Sequence, residues 1–149
     1  MKKGREGGFQ VLHLTGKGKL TGTDELYRNA GFPVLITESS ERMELFFGAA
    51  DLVFSRSGGS TVAELSLFGL PAVLIPYPYA AEDHQADNAR YFTDNGAGVM
   101  VRDSELTPER AAELLAIPPA KWSECAGKSV SLARPQAARV LLDMIEAKL

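Results

Sequence analysis

The stretch "FSRSGGSTVAELSLFGLPAVLIPYP", residues 54 to 78, sets a polar, glycine-bearing knot between two apolar runs. Arg56, Ser57, Gly58, Gly59, Ser60, Thr61 and Glu64 follow a short branched run, and a helix-length segment then leads into "PAVLIP" at 71 to 76. Short apolar runs bounded by glycine and proline become buried strands. The stretch therefore predicts a strand, a loop, a helix over 60 to 68 and a second strand, with Gly69 placed where a helix end favours a left-handed residue. "AAEDHQADNARY", residues 80 to 91, repeats the arrangement. Its polar side chains gather at the start of a helix predicted over 84 to 95, with Gly96 beyond it.

The same alternation runs through the rest of the chain. "FQVLHLT" (9 to 15), "PVLIT" (33 to 37), "DLVFS" (51 to 55) and "AGVMV" (97 to 101) read as further strands. Helices are predicted over 23 to 30 and 40 to 49, with Gly31 after the first of them. Strands alternating with helices predict an α/β fold, a doubly wound, Rossmann-like parallel sheet with right-handed crossovers and helices on both faces. From about residue 104 only helices are predicted, broken at Pro108, Pro118-Pro119 and Pro135, and "AARVLLDMIEAKL" closes the chain as an amphipathic helix.

At 149 residues the chain has the length of one domain, so a single domain over 1 to 149 is expected. Hydrophobic residues make up 45% and charged residues 23%, which excludes a largely disordered chain, and no apolar run reaches the ~20 residues of a membrane span. A net charge of −3 without a long basic run argues against nucleic acid as the principal partner. Cys125 is the only cysteine, a usage that fits a reducing cytoplasm, and the N-terminus lacks the apolar segment of a secretory signal.

In parallel sheets ligands bind beyond the carboxyl ends of the strands, where both polar knots fall. Gly58 and Gly59 let backbone approach a ligand, and the following helix points free amides and its positive end at the same spot, as suits a phosphate. Ser57, Ser60 and Thr61 add hydroxyl donors. A capping box at Thr61-Val-Ala-Glu64 fits the same letters equally well, with Glu64 reaching back to an amide. Glu64 is also placed to accept two hydrogen bonds from a ribose diol. Arg56 suits a phosphate or, more simply, a neighbouring carboxylate. Asp83 has the side chain of an N-cap, followed by His84, Gln85 and Asn88 in the first turns of the next helix. His13 and His84 lack any partner at metal-ligand spacing, so no metal is expected, and no Ser-His-Asp order or nucleophile elbow is present. These residues alone describe a binder of something phosphorylated and rich in hydroxyls.

The run "ADLVFSRSGGSTVAELSLFGLPAVLIPYPYAAEDHQADNARYFTDNGAG" closely resembles the C-terminal domain of the MurG family, N-acetylglucosaminyltransferases that convert lipid I to lipid II in peptidoglycan synthesis. The resemblance rests on the arginine-serine-glycine knot with T-x-x-E, the G-L-P-A strand entry, the H-Q-x-x-N-A helix start and "LHLTGKGK", and covers residues 9 to about 145. It implies one half of a glycosyltransferase-B fold that binds UDP-N-acetylglucosamine without a cofactor. Carried over position by position, Glu64 holds the ribose hydroxyls, the Gly58, Gly59, Ser60 and Thr61 loop meets the diphosphate and sugar, and His84 and Gln85, with Asn88 one turn on, face the N-acetylglucosamine. Ser40 falls where the family offers backbone to the uracil, although "SSERM" departs from the family's F-I-x-D-M, and Leu14 stands where a glutamine is usual.

The family's first strand and its G-G-S-x-G-A loop have no counterpart in "MKKGREGG", and no acceptor-binding half is present. No catalytic residue is therefore assigned. In the strand order 3-2-1-4-5-6 the first strand is central. Its loss predicts that "FQVLHLT" and "DLVFS" either pair directly or accept a strand from another molecule, leaving a marginal, association-prone chain without turnover of its own. The resemblance also implies a lipid-linked acceptor and a place at the inner face of the plasma membrane for the whole enzyme. Two other readings are a non-catalytic nucleotide-sugar-binding subunit of a split transferase and a UDP-sugar epimerase of the same fold.

Overall fold

The computed structural model describes residues 8–80 and 83–148. Residues 1 to 7, within the run where the first strand and its glycine loop are missed, lie outside them, as do residues 81 and 82 of the second polar knot. The chain divides into two compact units, Met1–Ala49 and Ala50–Leu149.

The first unit is a βαβα segment: β1 (Val11–Leu14), α1 (Thr23–Tyr27), β2 (Val34–Thr37) and α2 (Met43–Ala49). β1 and β2 are parallel, with Val11 opposite Val34 and Leu14 opposite Thr37. The ladder continues past the strands through Thr15 N to Thr37 O and Gly16 N to Glu38 O, each 3.0 Å. α1 is shorter than the predicted 23 to 30 because turn bonds from Arg28 N to Glu25 O and Ala30 N to Tyr27 O close it early. α2 starts at Met43 rather than 40, since the Ser40 hydroxyl accepts the Arg42 amide and holds a turn there. Phe47 is the one buried hydrophobic of this unit among the described residues.

The second unit contains β3 (Val53–Ser55), α3 (Gly59–Phe68), β4 (Ala72–Leu74), α4 (His84–Asp94) and β5 (Gly98–Met100). A short 3-10 turn at Asp103–Glu105 then leads to α5 (Pro108–Leu115), α6 (Pro119–Leu132) and α7 (Ala137–Glu146). The sheet order is β3-β4-β5, all parallel, with β4 in the middle and fully buried. Its period of two sends Val73 and Ile75 to one face, where they cluster with Val101, Leu114 and Trp122. α5 and α6 thus cover that face. Gly98 pairs with Ala72 so closely that a Cβ would run into the Ala72 carbonyl, which fixes the residue type there. On the helical side the buried Ser129 hydroxyl donates to Leu65 O at 3.2 Å and ties α6 to α3.

Parallel strands flanked by helices are what the sequence predicts, and Gly31, Gly69 and Gly96 all have positive φ. The strands form two ladders, β1-β2 and β3-β4-β5.

Candidate functional site

The capping box offered by Thr61 and Glu64 does not form. α3 begins earlier, at Gly59, with Gly58 as an extended N-cap (φ −61, ψ 150) and no side chain capping it. The Gly58 carbonyl accepts the Val62 amide at 3.0 Å and closes the first turn, so Thr61 sits inside the helix and Glu64 lies in its second turn. No acidic residue occupies the first turn. The amides and positive end of α3 are left without a side-chain acceptor, the arrangement that favours an anion.

Neither backbone conformation nor packing demands a glycine at 58 or 59. The φ of Gly58 suits any residue, and a Cβ at Gly58 or Gly59 would stand 3.6 Å from Thr61 Oγ1 or 3.9 Å from Asn88 Nδ2, both ordinary contacts. The Glu64 side chain is half-buried and has no hydrogen bond or ion pair among the described residues. Ser60 and Thr61 lie about one turn before it, so the three side chains share a face.

The start of α4 is stitched to this loop. Ser57, fully buried, donates its hydroxyl to Gln85 O at 2.7 Å, and Asn88 Nδ2 donates to Ser57 O at 3.0 Å. Gln85 Oε1 accepts the Tyr77 amide at 2.9 Å. Asn88 therefore uses its amide nitrogen, and Gln85 its carbonyl oxygen, to hold the loops, which leaves the Gln85 amide nitrogen and the Asn88 carbonyl oxygen for other contacts. His84 is exposed at the helix start. Asp83 is the N-cap residue, but its side chain makes no cap. Its backbone is left-handed (φ 57, ψ 21), and its carboxylate meets Arg90 at 3.3 Å instead. An N-cap acting through its side chain ordinarily has extended backbone, which explains the difference.

Gly58 at the N-cap of α3, Gly59, Ser60, Thr61 and Glu64 on α3, and His84, Gln85 and Asn88 on α4 thus all belong to the second unit, at the carboxyl ends of β3 and β4. Ser40 belongs to the first unit. His13, also there, bonds Tyr27 through Nδ1 and the phenol at 3.1 Å. Arg56 takes the simpler of its two readings, an ion pair with Asp103 at 2.6 Å. Nothing local in "VRDSEL" or "IPYP" marks Asp103 or Tyr77 as a partner for an arginine so far along the chain.

A parallel α/β sheet with a glycine-led helix at its carboxyl edge is the architecture of the C-terminal half of glycosyltransferase-B enzymes. The crystal structure of Acinetobacter baumannii MurG matches with a TM-score of 0.87 and 30% identity, over 93% of this chain and 43% of that one. The glycosyltransferase VinC shares the fold at a TM-score of 0.52 and 17% identity, over 85% of this chain and 33% of that one. Residues 1–117 match the glycosyltransferase family 28 C-terminal domain, and the chain belongs to that family. Among curated relatives, the UDP-N-acetylglucosamine--N-acetylmuramyl-(pentapeptide) pyrophosphoryl-undecaprenol N-acetylglucosamine transferase of Myxococcus xanthus is 39% identical over 139 residues, 91% of this chain and 36% of that protein. The enzyme of the same name from Citrifermentans bemidjiense is 35% identical over 149 residues, 98% of this chain and 42% of that protein. The chain thus spans well under half the length of these relatives.

Proposed function

We propose that this chain is the UDP-N-acetylglucosamine-binding half of an inverting hexosyltransferase that adds N-acetylglucosamine to an undecaprenyl-diphospho-muramyl-pentapeptide, the reaction for which its relatives are named. The observation that carries the reading is the uncapped start of α3 on Gly58-Gly59, with the Glu64 carboxylate, unpartnered among the described residues, on the same helix. The diphosphate lies against the amides of Gly59, Ser60 and Thr61, and Glu64 accepts the ribose hydroxyls. His84 and the Gln85 amide face the sugar, while Asn88 keeps Ser57 and the loop in place.

The acceptor hydroxyl attacks the anomeric carbon, the bond to the diphosphate breaks, and the diphosphate leaves with the electron pair. The growing charge is met by backbone donors already in position. A helix end at the surface contributes only about 0.3–1 kcal/mol, whereas each hydrogen bond to a charged group contributes about 1.5–3 kcal/mol, so the amides dominate. Acceptor binding and the base that deprotonates its hydroxyl belong to the part of the relatives beyond this chain. The lipid-linked acceptor puts the whole enzyme at the inner membrane face. Among the described residues no helix is long and apolar enough to cross a membrane.

Titration calorimetry without divalent metal tests the reading. UDP-N-acetylglucosamine should bind in preference to ADP- and GDP-linked sugars, and equal affinity for all of them would sink the assignment. Glu64→Gln should weaken UDP binding by about 1.5–3 kcal/mol and leave the melting temperature nearly unchanged. A variant that melts early yet binds UDP normally would make Glu64 a structural residue.

A further inference from the structure

Arg56 makes more contacts than a surface ion pair needs. Its Nη1 lies 2.6 Å from Asp103 Oδ1 and donates to the carbonyls of Ile75 and Pro76, each at 3.3 Å. The guanidinium carbon stands 5.5 Å from the centre of the Tyr77 ring. One side chain thus joins the end of β3, the loop leaving β4 and the 3-10 turn at Asp103–Glu105. Both neighbours of that junction lead to α4: Ser57, next to Arg56, bonds Gln85 O and receives Asn88, and the Tyr77 amide donates to Gln85 Oε1.

We infer that Arg56 is a positioning residue that sets the first turn of α4, with His84 and Gln85, against the glycine-led start of α3. The inference rests on the nucleotide-sugar reading above. The Arg56 and Asp103 side chains are 47% and 46% exposed, so solvent screens the pair and its contribution to folding is small. All three polar contacts pass through Nη1, and what a lysine ammonium does not reproduce is the planar guanidinium that carries this nitrogen to them while lying over the Tyr77 ring. Replacing this planar group should change the angle between two recognition elements more than it changes stability. α3 is assigned to the nucleotide and α4 to the sugar, so the loss should fall on the sugar.

The test compares UDP with UDP-N-acetylglucosamine on the full chain, for the natural protein, Arg56→Lys and Asp103→Asn, alongside thermal melting and amide hydrogen exchange at Tyr77. Arg56→Lys is expected to reduce the preference for UDP-N-acetylglucosamine over UDP about tenfold, with UDP alone changed by no more than about twofold. Its melting midpoint should stay in place while the Tyr77 amide exchanges faster. Asp103→Asn, which keeps the shape and removes the charge, should give a smaller loss in the same direction. Unchanged preference in Arg56→Lys would overturn the inference, as would an equal loss for both ligands together with earlier melting. A natural protein that binds neither ligand would remove the nucleotide-sugar reading and this role with it. Faster Tyr77 exchange in Arg56→Lys would then still register the contact itself.

Discussion

The two units use the same βα vocabulary with different results. In the second, β4 is buried along its whole length, and Leu65, Ala89, Phe92 and Ala97 around it have no exposed surface. In the first, β1 and β2 each keep a leucine in the open: Leu12 and Leu35 stand opposite each other in the ladder at 38% and 54% exposure. Parallel strands are ordinarily covered on both faces. The difference teaches that secondary structure and core are separable here. Both units have the hydrogen-bond pattern of their fold, but the second also has the buried apolar area from which most stability comes.

The sharpest way to break that comparison is to truncate one phenylalanine in each unit. Phe92→Ala should cost about 3–5 kcal/mol, since the ring is fully buried and leaves a cavity. Phe9→Ala, at a ring 51% exposed and tilted against Phe32, should cost less than about 1 kcal/mol. Similar losses in chemical denaturation would show that the first unit has a core of its own. A second pair should differ in sign. Gly98→Ala drives a Cβ into the Ala72 carbonyl and should destabilise by about 1–3 kcal/mol. Gly48→Ala, inside α2 with nothing within 4 Å, should stabilise by about 0.5–1 kcal/mol. Matching signs would contradict the packing at one of the two positions.

The smallest effect is a pH dependence confined to the second unit. Glu109 opens α5, and its own backbone amide, then the Thr107 hydroxyl, hold its carboxyl below the usual range. A folded-state pKa below the unfolded one stabilises above the ordinary value of 4.5, and this contribution fades as the pH falls through the folded value. Thr107→Ala should flatten that acid limb slightly in urea titrations carried down from above the ordinary value of 4.5 to below it. An unchanged slope would remove Thr107 from the account.

The strands were legible in the sequence because buried parallel strands announce themselves as short branched runs, and "PAVLIP" proved the most buried of all. Helix starts were less so. T-x-x-E fits a capping box by its letters, yet the chain closes its first turn on the Gly58 carbonyl, a choice made by backbone geometry and not by side-chain type. The residues gathered on α3 and α4 were readable from the two polar knots. What held them together was not, because Arg56 meets Asp103 across nearly the whole second sheet, and only the folded chain brings such distant positions into contact. The closing helix was predicted amphipathic, and its apolar residues Val140, Leu141, Met144 and Ile145 are all more than half exposed. Periodicity predicts that a face exists, not what lies against it.

Asp83 is the one non-glycine residue with positive φ among those described. Its consequence lies in sequence variation. Left-handed backbone is open to glycine and tolerated by asparagine and aspartate, while branched and bulky side chains are strained there by about 1–3 kcal/mol. Evolutionary drift at this position is therefore limited to a small alphabet by the shape of the chain alone, even though the side chain is exposed and caps nothing. Uniformity at position 83 across a set of related sequences would record the bend that launches α4, and should not be mistaken for contact with a ligand.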